Sequence, residues 1–154
     1  MLETVMTAVA IAKIPAAREL AASLPGPVMV SSVHRVPVDI LGGRAGWGKI
    51  SGGVSARDRQ RVIDRHQAGD LQGVAITTAG AEGITLTRGH EHVSIDRDWR
   101  PGMNVQMEDR QHRAGQQEEV HVWQLVAEHP VDEIKARVLD RKMRVLEALG
   151  LEEA

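Results

Sequence analysis

Residues 106–116 read Gln-Met-Glu-Asp-Arg-Gln-His-Arg-Ala-Gly-Gln. Arg110 and Arg113 are three positions apart, and Gln106 stands four before Arg110. On a helix these spacings put all three side chains on one side. Two guanidiniums and an amide on one face suit a polyanion, because Arg offers planar, always-charged donors that match phosphate oxygens. The same spacing also describes an ordinary solvated helix face, so it does not decide the matter alone. The stretch follows Pro101-Gly102, which predicts a helix over 103–113. Apolar runs on either side, 92–96 (HVSID) and 120–126 (VHVWQLV), read as strands.

Moving outward, strands and helices keep alternating. Residues 15–24 (PAARELAASL) predict a helix, with Pro15 suited to the first turn and Pro25-Gly26-Pro27 as a stop. Residues 28–33 (VMVSSV) and 73–78 (GVAITT) are further strand candidates. Between them, 55–67 predicts a helix with Ser55 as N-cap and Asp58 completing a capping box. The segment Gly42 to Lys49 reads as a loop. Residues 131–149 carry Ile134, Val138, Val145 and Leu149 on one helical face, and Gly150 ends that helix. Such alternation favours a parallel sheet with helices on both faces. In such sheets ligands meet the loops at the carboxyl ends of strands. Here those loops are 31–34, 77–86 and 96–106. The chain divides into a helical lead-in over 1–14 and one domain over 15–154.

Composition narrows the classes. A chain of 154 residues suffices for one core. With no Phe or Tyr, that core is aliphatic, and Trp47, Trp99 and Trp123 are the aromatic exceptions. A net charge of −2 argues against a strongly basic, self-sufficient nucleic-acid binder, though not against a local basic face. The absence of cysteine excludes disulfides and thiolate metal sites. No apolar run approaches the ~20 residues of a membrane span, and no secretory signal stands at the N-terminus. Cytoplasmic residence is the default expectation. His90-Glu91-His92 invites a metal reading, but no second cluster has ligand spacing, and the expectation is a surface turn.

Three strings occur in order, each after a predicted strand: 77–86 (TTAGAEGITL), 96–101 (DRDWRP) and 106–116. Together they resemble the second lobe of Swi/Snf-type members of helicase superfamily 2. The likeness runs from about residue 13 to 146, including Gly52 to Arg57 before a helix ending at Gly69. It implies a RecA-like three-layer α/β sandwich, its mainly parallel sheet covered by helices on both faces. Arg113 then matches the family's arginine finger, which reaches the γ-phosphate of ATP. Arg110 matches its companion on the phosphates, and Gln106 opens the same motif. Gly80, Glu82 and Gly83 match the loop that closes on the nucleotide. Ser31, Ser32, His34, Thr77 and Thr78 match positions that contact the phosphate backbone of duplex DNA. Arg57 and Trp99 fall in segments used along the same track.

Each of these positions also has a plainer reading. Trp99 could be a core anchor, Ser31 and Ser32 the end of a strand, Glu82 a helix cap and Arg57 solvated charge. The sequence also departs from the family at Val30 and His66, where Phe is usual, and both changes bear on packing.

Nowhere in the 154 residues is there a G-x-x-x-x-G-K-[ST] loop to cradle phosphates or an Asp-Glu box to hold magnesium. The resemblance therefore implies a first RecA-like lobe, on a separate chain or a missing segment, holding ATP and Mg²⁺. The chain alone is expected to be inactive. A split motor is slightly favoured over an excised domain. The competing reading is a non-enzymatic module that binds DNA or a protein with a retained lobe fold.

Overall fold

In the computed structural model, which describes residues 1–151, β1 (Val28–Ser32) is the middle strand of a sheet. Its neighbours are β3 (Gly73–Thr77) and β4 (Glu91–Ser94), and β2 (Trp47–Ile50) and β5 (His121–Gln124) form the edges. The order is β2-β3-β1-β4-β5 and every pairing is parallel. Every residue of β1, β3 and β4 is buried, whereas all four of β5 are exposed. The contrast fits β1 and β3, whose covered faces call for apolar runs; β4 is the exception, with Glu91 and His92 buried.

Successive residues of β1 feed two cores. Val28 and Val30 face Ala10, Ile14, Ala17, Val38 and Leu41, which come from α1 (Leu2–Ala12), α2 (Ile14–Ser23) and α3 (Arg35–Gly42). Met29 faces the other way, among Ile50, Val74, Ile76, Leu86 and Met107, with Val62 and Ile63 of α4 (Ala56–Ala68) beside it. Met107 belongs to α5 (Pro101–Glu108). A fully buried side chain such as Met29 or Ile76 contributes about 1.5–3 kcal/mol by leaving water. The last helix, α6 (Pro130–Ala148), anchors itself through buried Leu139 and Lys135. The result is the three-layer parallel α/β sandwich expected.

Local signals work as read in several places. The Ser55 hydroxyl accepts from the Asp58 amide (3.1 Å) and donates to its carboxylate (2.9 Å). Gly69 ends α4 in the left-handed region, at φ 83°. Pro15 lies in the first turn of α2, where its missing N–H costs nothing.

Three expectations are corrected. The helix over 103–113 spans Pro101–Glu108 instead, so Arg110 and Arg113 stand in the turns beyond it and not on a shared helix face. Leu86 captures the Arg110 carbonyl (2.8 Å), and this tertiary bond replaces helix continuation. The supposed loop at 42–49 contains β2. Its signal is weak because Gly48 lets α4 approach: a Cβ there would meet Val62 Cγ1 at 2.6 Å. Residues 90–92 are no surface turn, since Glu91 and His92 are buried in β4. Helix α3 was missed, its eight residues broken by Pro37 in the first turn.

Candidate functional site

The loop following β3 and the last turn of α5 enclose a cleft of about 330 Å³ at the carboxyl end of the sheet. Thr78, Glu82, Gln106 and Arg110 all line it. The structure thus brings together residues as far apart in the chain as Thr78 and Arg110. Helix α5 supplies Gln106, exposed on its outer side, while Met107 turns inward to the core.

Arg110 is only 7% exposed, and its Nε has no acceptor among the described residues. Burial pulls its guanidinium below the ordinary arginine value, and Arg113 adds to that. Asp109 and Glu82 pull the other way. A buried donor without a partner costs about 1–3 kcal/mol. Arg113 is exposed, and its contact with the Thr85 hydroxyl is long, at 3.5 Å. One arginine is held in the wall of the cleft; the other is free to reach.

The glycines beside the cleft have distinct reasons. At Gly80 a Cβ would meet Ser51 Cα and Thr77 Oγ1, each at 2.9 Å, so only glycine fits against β2. Gly83 has open space around it but adopts φ 71°, a region L-residues avoid. Thr77 is buried, and its hydroxyl accepts from the Gly80 amide (3.1 Å). Glu82 is exposed in a turn with no helix beside it, which removes the reading of it as a helix cap.

The segment 31–34 behaves differently from its expectation. The Ser31 hydroxyl is buried against His92 Nε2 (2.7 Å), and the Ser32 hydroxyl donates to Asp96 (2.8 Å). The Val33 amide also goes to Asp96 (2.6 Å), and the His34 amide to Ser32 Oγ (3.0 Å). His34 Nδ1 faces Thr7 Oγ1 at 3.1 Å, on a residue 6% exposed. These groups are committed internally, so the side chains of Ser31, Ser32 and His34 are not presented outward in this conformation. Arg57 is fully outside on α4. Trp99 is half-buried, with Lys135 Nζ 5.1 Å from its ring centroid.

Comparison with known proteins fits this arrangement. Residues 26–115 match the helicase conserved C-terminal domain. The chain belongs to the Swi/Snf-type helicase C-terminal domains. A Xenopus tropicalis SWI/SNF-related matrix-associated actin-dependent regulator of chromatin subfamily A-like protein 1 is 35% identical over 108 residues, 69% of this chain and 12% of that protein. The Saccharomyces cerevisiae ISWI chromatin-remodeling complex ATPase ISW1 is 36% identical over 101 residues, 64% of this chain and 9% of its own length. Among solved structures, the C-terminal part of the Fun30 ATPase domain superposes with a TM-score of 0.71 at 25% identity, covering 82% of this chain and 44% of that one. The chain thus spans about a tenth of the curated relatives it matches.

Within this Swi/Snf-type domain, sequence reasoning missed the residues that hold the site together. Gln111, fully buried between the two arginines, donates to the Glu91 carbonyl (3.2 Å) and pins their turn to β4. Asp96 organises the exit of β1. Asp98 pairs with Arg100 through two contacts of 2.9 Å, which lower its pKa. No local pattern marks such residues, because each partner comes from another element. Among the described residues, no three His, Asp or Glu side chains gather as a metal site, and no helix is long and apolar enough to cross a membrane.

Proposed function

We propose that this domain is the second motor lobe of a DNA-dependent ATPase, working against a first RecA-like lobe on another chain or segment. The observation that carries the reading is Arg110: a buried guanidinium whose Nε lacks an acceptor, in a cleft shared with Gln106 and Glu82. A triphosphate edge in the cleft would give the Arg110 guanidinium an anionic partner. The residues present fit ATP held mainly by the first lobe, together with its Mg²⁺, and ATP when bound supplies the phosphoryl group to be transferred. Arg113, exposed and loosely held, would supply the charge that stabilises the γ-phosphate as the arginine finger. Arg110 fixes the neighbouring oxygens, and Gln106 orients from α5. In related enzymes such a finger contributes roughly 10³–10⁵ in rate, or about 4–7 kcal/mol.

The DNA side of the reading rests on groups that stay outside. Arg57 is exposed on α4, and Thr78 and Trp99, half-buried in the loops after β3 and β4, keep part of their surface outside; these groups suit backbone contacts that carry no sequence information. The 31–34 segment contributes through the start of α3, which has no side-chain cap, so its first amides remain available to a phosphate. The motor would move along or remodel duplex DNA.

The test is reconstitution. Mixing this chain with a matching first lobe, one that carries a Walker-type loop and an Asp-Glu box, should give ATP hydrolysis stimulated by duplex DNA. Neither part alone should hydrolyse ATP, and Arg113→Ala should abolish the activity of the mixture. Full activity from that variant would overturn the finger assignment. A mixture that binds duplex DNA in a salt-sensitive way, indifferent to ATP and without hydrolysis, would favour a non-enzymatic binding module.

A further inference from the structure

Three connections meet where β1 and β4 end, and all of them pass through residues 96–100. Asp96 accepts from the Ser32 hydroxyl (2.8 Å) and the Val33 amide (2.6 Å), which fixes the turn into α3. Two residues on, the Asp98 amide donates to Asn104 Oδ1 (2.8 Å), and Asn104 Nδ2 returns a bond to the Asp98 carbonyl (3.0 Å). That exchange fixes the start of α5, the helix that brings Gln106 to the cleft. Immediately after Asp98, Trp99 faces α6. Lys142 Nζ donates to its carbonyl (2.7 Å), and Lys135 Nζ stands 5.1 Å from its ring centroid.

Lys135 is 5% exposed, an unusual place for a lysine. It shares a cavity of about 20 Å³ with Lys13, Asp96 and Asp132, enough for about one water. Lys13 already binds the Ile95 and Leu125 carbonyls and the Asp132 carboxylate. Asp132 is therefore taken, and Lys135, with Arg97 on the same wall, faces Asp96 across the cavity without a direct ion pair and stands over the Trp99 ring.

We infer that Lys135 is a positioning residue, which acts from α6 on residues 96–100 and through Asp96 and Asp98 sets the entrances of α3 and α5. An apolar side chain would fill the same space and would not orient a carboxylate. Burial lowers the Lys135 pKa and Lys13 adds to that, whereas Asp96, Asp132 and Asp98 oppose it. The lysine's contribution is to conformation, in the manner of buried ions that specify one arrangement at the expense of stability.

The experiment uses the chain itself, with Lys135→Met and Lys135→Arg, and Arg137→Ala as an exposed control on the same helix. Amide hydrogen exchange at Val33 and the indole resonance of Trp99 are followed by NMR. Lys135→Met should speed Val33 exchange roughly three- to thirtyfold and shift the Trp99 resonance, with the melting temperature unchanged or higher. Lys135→Arg should restore both signals, and Arg137→Ala should change neither. Unaltered Val33 exchange and Trp99 resonance in Lys135→Met would overturn the inference. So would a chain unfolded by that substitution, since the lysine would then be a stability element.

A second arm rests on the proposed function. In the reconstituted motor, Lys135→Met should raise the DNA concentration for half-maximal hydrolysis through the α3 entrance, and lower the rate at saturating DNA through Gln106 on α5. A lower saturated rate at unchanged half-saturation would contradict it. If the wild-type mixture hydrolyses nothing, the motor assignment fails, and the exchange measurement still decides the role of Lys135.

Discussion

The Leu86 amide donates to the Arg110 carbonyl at 2.8 Å, so the loop leaving β3 and the turn leaving α5 form one unit. Leu86 itself is fully buried among Met29, Ile76 and Met107. The cleft between these segments is therefore built on the main core and is not a mobile appendage. Glu82 and Gly83 lie on the free part of the loop, whereas Arg110 lies on the anchored part. This division of fixed and free groups underlies the predictions that concern the cleft.

Arg110→Met should raise the melting temperature or leave it unchanged while removing activity from the reconstituted motor. The side chain is buried, its Nε lacks an acceptor, and burial lowers its pKa. A hydrophobic replacement of similar length removes a buried donor that lacks an acceptor, a change often neutral or stabilising. Thermal melting and hydrolysis assays on the same preparation check this. A large fall in melting temperature would show that the guanidinium already has what it needs within the chain.

The two glycines beside the cleft should respond unequally to alanine. Gly80→Ala forces a Cβ to within 2.9 Å of Ser51 Cα and disturbs the amide that Thr77 accepts. Overpacking of this kind costs about 1–3 kcal/mol. Gly83→Ala meets no neighbour and loses only the ease of its positive φ, about 1 kcal/mol. Urea denaturation of both variants should rank Gly80→Ala as the more damaging; the reverse order would contradict the packing of the loop on β2.

Acid should weaken the fold before most carboxylates titrate. Burial lowers both His66 and His92 from 6.5 to about 4. The unfolded chain binds protons at these residues near pH 6.5, and the folded chain does so only near 4. Their contribution is complete above 6.5, falls as pH drops from 6.5 to 4, and levels off below. Each is worth on the order of 3 kcal/mol across that window. Urea midpoints at pH 7.5, 5.5 and 4.5 test the slope, and His66→Phe should remove about half of it. A flat profile would mean that both imidazoles open to water, and a halved slope that one of them does.

How legible all this was in the sequence depended on where the information lay. The buried strands β1 and β3 announced themselves through apolar runs, and α4 through Ser55, Asp58 and Gly69, because those signals are local. β2 did not, since WGKI is a strand only by virtue of what packs on Gly48. The arginine motif pointed to the right place for an incomplete reason: its spacing suggests one helix face, yet Arg110 and Arg113 stand in turns, one buried and one free. His66 was noted as a departure where Phe is usual, and it is fully buried, so packing is where that change acts. Asp96, Gln111 and Lys135 were invisible because their roles exist only between elements far apart in the chain.

Arg57 and Ser31 separate the two kinds of DNA-track residue. Arg57 is exposed on α4, so Arg57→Ala should weaken duplex binding, lower the salt slope by about one, and leave stability within ~0.5 kcal/mol. Ser31 is buried, and its hydroxyl is 2.7 Å from His92 Nε2. Ser31→Ala removes the partner of a buried ring nitrogen, at a cost of about 1–3 kcal/mol in stability. It should not change the salt slope, because no phosphate contact is lost. Binding isotherms at several salt concentrations, together with urea melts, measure both quantities. A reduced slope from Ser31→Ala would mean that β1 opens on DNA and turns its hydroxyl outward, at the expense of the His92 bond.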